Sequence, residues 1–303
     1  MKNLKNFIGI TLIALLTFSC SSDDNSTDNS IAGIASNNAD LTLLVQALSK
    51  AGLVETLKSG SYTVFAPTNA AFTSAGYTSE AIAALPQNDA GLTQLLLNHV
   101  VSGAVEASDL VNNSYIKTLG KGAASTTNTL SMYVQTTPSV KLNGVATVTT
   151  ANVIASNGVI HIVDKVIALP TIVTHATANS NFGTLATLLT NQNLVATLNG
   201  TSGSPFTVFA PLNSAFDTAT LNLYTGLTTE QKTAVLTYHV VGGANVLSNA
   251  IPTTPITTLQ SGDLLIAGTV ITDEVNRQTN IVLTDVQCSN GIIHAVDKVL
   301  LPF

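Results

Sequence analysis

Apolar and polar positions along this 303-residue chain fall into two blocks with the same internal order. In each block helical spacing comes first and alternating strands follow. Leu43, Leu44, Ala47, Leu48 and Ala51 recur at helical spacing and predict a helix over Leu41 to Leu57. Its counterpart runs from Phe182 to Leu198. Leu92, Leu95 and Leu96 share one face of a second helix, Gly91 to His99, matched by Thr229 to His239. Beyond these helices both blocks turn to Thr-rich alternation. Helices before strands, twice over, predict an α+β fold.

The repetition extends to residues. Thr63-Val64-Phe65-Ala66-Pro67-Thr68-Asn69-Ala70-Ala71-Phe72 recurs as Thr207-Val208-Phe209-Ala210-Pro211-Leu212-Asn213-Ser214-Ala215-Phe216. Asn98-His99-Val100-Val101 recurs as Tyr238-His239-Val240-Val241. Asn157-Gly158-Val159-Ile160-His161-Ile162-Val163-Asp164-Lys165-Val166 recurs as Asn290-Gly291-Ile292-Ile293-His294-Ala295-Val296-Asp297-Lys298-Val299. The offset shrinks from 144 (63 to 207) to 133 (157 to 290), so these are two duplicated domains with small length changes. We place them at 31–169 and 170–303. A chain of about 135 residues buries roughly two-thirds of its unfolded surface, enough for each to fold alone.

Each motif has a physical reading. Thr-Val-Phe-Ala is a β-branched and aromatic strand stopped by Pro67 or Pro211. Asn69 and Asn213 suit helix N-caps, with Phe72 and Phe216 anchoring those helices on the core. The last motif reads as a hairpin. Asn157-Gly158 and Asn290-Gly291 suit a type I′ turn, with strands Thr147 to Ala155 and Ile281 to Cys288 before it. Val159 to Ile167 and Ile292 to Leu300 follow, nearly all apolar and so covered on both faces. Gly120-Lys121-Gly122 reads as another hairpin turn.

Together the three motifs resemble the fasciclin, or FAS1, domain, whose pattern is a Thr-Val-Phe-Ala-Pro segment, a central Tyr-His and a closing Asn-Gly-Val-Ile-His-Val-Ile-Asp-Lys-Val. The resemblance covers residues 31–303 as two tandem copies. It implies a β-wedge or sandwich with helices packed on it, and a surface-attached interaction module serving cell adhesion and matrix contact. The second copy keeps Tyr238-His239, whereas the first has Asn98-His99, so any role of the family Tyr is absent from the first domain.

Composition narrows the function. Charged residues make up 9% and the net charge is −6 with 11 Lys and Arg, which excludes a basic surface for nucleic acid. Lys2 and Lys5 precede an apolar run from Phe7 to Phe18, too short for the ~20 helical residues of a membrane span. The run ends at Ser19-Cys20 and resembles a bacterial lipoprotein signal, so residues 1–20 read as the signal segment with Cys20 as the lipidated first residue. Ser21-Ser22-Asp23-Asp24 resembles the short acidic signal that sends Bacteroidetes-like lipoproteins to the outer face of the outer membrane. Residues 21–30 read as a polar tether. The expected location is the outer membrane, lipid-anchored and facing outward, with the membrane touched through the anchor only.

The candidate chemistry is sparse. Five His residues show no helical i, i+4 pair, and Cys288 has no disulfide partner once Cys20 is lipidated, so neither metal nor cofactor is expected. Repeated His residues read as hydrogen-bonded structural groups. His175 matches no position in the other copy. Cys288 aligns with Ala155 and reads as a packed, inert thiol. Asp164-Lys165 and Asp297-Lys298 read as strand ends. Asp217-Thr218-Ala219 matches a short O-glycosylation motif. No nucleophile–base arrangement is visible, so a hydrolase is disfavoured and no catalytic residue is assigned.

Tyr238, His239, Asn98 and His99 are the candidate binding residues. Tyr238 and His239 end a helix before a Gly242-Gly243 bend, and Tyr is favoured at interfaces. The competing reading makes Tyr238 a core residue whose hydroxyl pairs with backbone. The expected function is adhesion or matrix interaction with protein or polysaccharide ligands. The alternative is an envelope structural or accessory protein acting as spacer or partner subunit.

Overall fold

The structure, a computed structural model, describes residues 28–303. The signal segment 1–20, Cys20 and most of the tether lie outside the described residues. Among the described residues no helix is long and apolar enough to cross a membrane.

The first domain holds strands β1 (Tyr62–Pro67), β2 (Val100–Ser102), β3 (Ser114–Gly122), β4 (Ser125–Gln135), β5 (Lys141–Leu142), β6 (Ala146–Ala155) and β7 (Gly158–Val163). They close into a barrel in that order, with β7 returning parallel to β1. The second domain holds β8 (Phe206–Pro211), β9 (Val240–Gly242), β10 (Ile256–Thr257), β11 (Asp263–Ala267), β12 (Val270–Thr272), β13 (Gln278–Cys288) and β14 (Gly291–Val296). Its sheet has the same order but stays open between β9 and β10. The α+β expectation of two helix-packed β domains holds, and in the first domain the wedge is a closed barrel.

The Thr-Val-Phe-Ala-Pro segments are β1 and β8, nearly fully buried because each lies between an antiparallel and a parallel neighbour. The expected helix Leu41 to Leu57 is two helices, Thr42–Lys50 and Val54–Ser59. Gly52 breaks it at φ +70°, with Leu53 N donating to Leu48 O at 2.9 Å and Gly52 N to Ser49 O at 3.2 Å. That is a Schellman stop. Asn193, at φ +56°, stops the counterpart between Gly183–Asn191 and Val195–Asn199. The second predicted helices are Ala90–Leu97 and Thr229–Tyr238.

Three local expectations are corrected. Asn69 and Asn213 do not cap their own helices. Thr68 caps Asn69–Ser74, and Asn213 opens a short 3-10 turn. Instead Asn69 Oδ1 accepts from Leu43 N at 2.8 Å, and Asn213 Oδ1 from Thr184 N at 2.9 Å. Each amide therefore caps a helix 26 or 29 residues upstream.

The closing hairpin turns on Ser156-Asn157, neither of which has a positive φ, so it is not a type I′ turn. Asn157 reaches inward: Oδ1 accepts from Ile31 N at 2.8 Å and Nδ2 donates to Leu57 O at 2.6 Å. Asn290 repeats this with Ile172 N and Leu198 O. Gly158 is needed because a Cβ there would lie 1.8 Å from Tyr62 O; at Gly291 it would lie 2.2 Å from Phe206 O. Finally, Gly120 and Gly122 lie inside β3, and the turn is Ala123-Ala124.

Gly158→Ala combines a backbone clash with a φ of +151°. It should cost about 3 kcal/mol, read as a lower urea midpoint at constant m-value. An unchanged midpoint would contradict this close approach of β7 to β1.

Candidate functional site

All four candidate binding residues, Asn98, His99, Tyr238 and His239, are buried. The contact surface expected at Tyr238 and His239 is therefore absent, because these groups are spent on internal bonds. Tyr238 donates its hydroxyl to Asp263 O at 2.8 Å. Asn98 Nδ2 donates to Ile167 O at 3.1 Å and Ala168 O at 3.2 Å.

His99 pairs Nδ1 with Leu95 O at 2.8 Å, and its Nε2 accepts from Ile167 N at 2.8 Å. His239 repeats both bonds, with Val235 O at 2.8 Å and Leu300 N at 2.9 Å. An Nε2 that accepts a backbone N–H is unprotonated, so both rings are neutral and carry hydrogen on Nδ1. Burial holds both pKa values down to about 4.

The other repeated pair uses the opposite tautomer. His161 Nδ1 accepts from Asn152 N at 3.2 Å and Nε2 pairs with Val105 O at 3.0 Å. His294 does the same with Asp285 N at 3.3 Å and Val246 O at 2.9 Å. Asn152 and Asp285 have φ +59° and +60° and sit where the register of β6 and β13 slips. Each ring thus holds a β-bulge in place while stacking on Phe65 or Phe209.

The remaining candidates fall into place. Asp164 Oδ1 accepts from Thr147 N at 2.6 Å, and Asp297 Oδ1 from Asn280 N at 2.8 Å, closing the open end of each hairpin. Cys288 is a buried free thiol, its pKa pushed far up by burial. Asp217 caps Thr218–Gly226 through Thr220 N at 2.8 Å, leaving Thr218 exposed. Among the described residues no three His, Cys, Asp or Glu side chains gather into a metal-holding group.

One site escaped the sequence reading. His175 lies on helix Ile172–Ala178 of the second domain, against Tyr115 of the first, with ring centroids 5.3 Å apart. Burial holds its pKa near 3, and neither ring nitrogen has a partner. Around it the β3–β4 hairpin crosses to the second domain. Ala124 N donates to Ser289 O at 2.9 Å, Lys117 Nζ to Asp285 O at 2.8 Å, and Gln287 N to Ser131 Oγ at 3.0 Å. At Gly122 a Cβ would lie 2.3 Å from Ser289 Cα, so glycine is required for this contact. Beside the interface the surface opens into a groove of about 580 Å3 between the domains.

Comparison with known proteins decides the family. The Fasciclin domain description matches residues 39–170 and 180–302. The chain belongs to the fasciclin domain family. Protein sll1483 of Synechocystis is 38% identical over 141 residues, which cover 46% of this chain and 73% of that protein. Human periostin is 26% identical over 253 residues, covering 80% of this chain and 28% of periostin. A solved FAS1 domain pair from the insect cell adhesion molecule fasciclin I covers 88% of this chain and 98% of its own, at 19% identity and TM-score 0.52, which supports the fold.

The buried imidazoles set a pH dependence. An unfolded His titrates near 6.5, so below that pH the unfolded fasciclin chain binds protons that folded His99 and His239 refuse. Their stabilisation is present above pH 6.5 and is lost as pH falls. Each should cost about 2 kcal/mol by pH 5, above the range where carboxylates titrate. Thermal melts between pH 7 and 5 should show a steady fall in Tm; a flat profile would contradict neutral, buried rings. Tyr238→Ala should cost about 3–5 kcal/mol as a large core truncation, and Tyr238→Phe about 1 kcal/mol for the hydroxyl bond. Denaturant titration of both variants separates these values.

Proposed function

We propose that this fasciclin pair is a lipid-anchored surface protein that makes adhesive or matrix contacts outside the cell. The observation that carries the reading is the fate of the motif side chains. The repeated His, Tyr and Asn groups are used up in internal hydrogen bonds, so their chemistry is structural. What faces outward is a weakly charged surface rich in Thr and Asn, suited to contact. Periostin and the insect adhesion molecule, similar over most of this chain, fit the same direction. The lipoprotein-like segment ending at Cys20 supplies the anchor, since two acyl chains hold firmly where a single one is marginal.

Cys20→Ala should abolish lipid labelling and move the protein from the membrane to the soluble fraction. Unchanged partitioning into detergent would defeat the anchor. Protease added to intact cells should degrade the parent protein, and a strain lacking it should lose attachment to a matrix-coated surface. Protection from protease would favour the periplasmic spacer reading instead.

A further inference from the structure

The groove beside the domain interface holds about 580 Å3, within the ~300–1,000 Å3 of small-ligand sites. One wall is β5 with the turn after it, carrying Lys141, Asn143, Gly144 and Val145. The other is helix Ile172–Ala178, carrying Thr174 and Thr177, with Asn199 beside it. The walls meet where a Cβ on Gly144 would lie 3.0 Å from Ala178 Cβ. Neither domain alone has this groove.

Its lining has a definite polarity. Thr171 Oγ1 donates to Asn199 Oδ1 at 2.7 Å, which leaves the Asn199 Nδ2 as a donor. Thr177 Oγ1 donates to Val173 O at 2.9 Å and so offers lone pairs. Asn143, held at φ +48° with Oδ1 accepting from Tyr133 N at 2.7 Å, has a buried Nδ2 without a partner. Lys141 is half-buried, and among the described residues no acidic side chain pairs with it. No carboxylate lines the groove. A second groove of about 460 Å3 in the first domain differs, because its Lys58 is paired with Glu55 at 3.0 Å and Glu106 lines it.

We propose that the inter-domain groove binds a carboxylate-bearing saccharide. Lys141 faces the carboxylate, while Thr177, Asn199 and Gln135 exchange hydrogen bonds with ring hydroxyls. Val145 and Val173 offer the small apolar faces against which pyranose C–H groups pack. One unpaired cation suits one carboxylate per sugar, and mixed donors and acceptors suit a polyol better than an apolar ligand. The proposal rests on the surface-contact reading for its setting and adds the ligand class and the site.

The test is isothermal titration of the full chain in detergent with tetragalacturonate, against a neutral galactose tetramer. The acidic oligomer should bind saturably and at least ten-fold more tightly than the neutral one. Lys141→Gln should weaken binding at least ten-fold, Thr177→Trp should block it by filling the groove, and Lys58→Gln should leave it unchanged, all with parental melting curves. No saturable binding, equal binding of the two oligomers, or parental affinity in Lys141→Gln or Thr177→Trp would overturn the site. Attachment assays keep the two readings apart. Lost attachment without titration heat removes the groove and keeps adhesion; titration heat with full attachment of the deletion strain does the reverse.

Discussion

In each domain one imidazole holds together the two segments of chain that are hardest to join. His99 follows the helix Ala90–Leu97 and reaches Ile167, which lies 68 residues later and beyond β7. Its Nδ1 hydrogen meets Leu95 O, one of the carbonyls a helix end leaves without a partner. Its backbone carbonyl accepts from Phe65 N at 2.9 Å, so β1 joins the same point. Helix, first strand and the segment that follows the last strand thus converge on a single buried residue. An apolar replacement would leave two buried backbone groups orphaned, at about 1–3 kcal/mol each. A ring committed in this way cannot exchange protons in a reaction without loosening the fold.

The second domain repeats that junction, yet the two sheets close differently. Asn98 is small, and β3 passes close enough that a Cβ on Gly120 would lie 2.8 Å from Asn98 N. There β3 pairs with β2 and the barrel shuts. In the second domain the Tyr238 ring occupies the matching place, 2.9 Å from a Cβ built on Gly262, and bonds to the start of β11. Here β10 is two residues long and does not pair with β9. The Asn-for-Tyr difference therefore accompanies a difference in closure: the sheet shuts beside Asn98 and stays open beside Tyr238.

The duplicated domains, the buried β1 and β8, the closing hairpins and the amphipathic helices were all legible in the sequence. Their signals are local: period, β-branching, and Gly or Asn at the ends. Cap assignments failed for a physical reason. Asn69, Asn157 and their counterparts do satisfy helix ends, but of helices 26 to 126 residues away, which spacing cannot reveal. The glycines after Asn157 and Asn290 have the local signature of turn formers, but what requires them is the carbonyl of the parallel neighbour. Tyr238 was readable as surface or core, and only packing distinguishes the two. Lys141 and Asn143 carried no repeated motif, since the groove they line exists only between domains.

The duplication also assigns the two copies different surroundings. In the second domain Gln287, next to the closing turn, is buried: its N–H meets Ser131, and its amide meets Asn245, Cys288 O and Gly291 O. The first domain has Ile154 at this position, 60% exposed, because no hairpin arrives to cover it. Domain 1 gives its long β3–β4 hairpin to domain 2, whose own hairpin of β10 and β11 is far shorter. The contact thus runs one way. Its hydrogen bonds tie the domains together beside the groove that Lys141, Thr177 and Asn199 line, and preorganisation of that kind lowers the cost of binding across two domains. Each domain spends its motif residues on its own sheet and helix ends, and the groove at the junction is lined by residues outside those motifs.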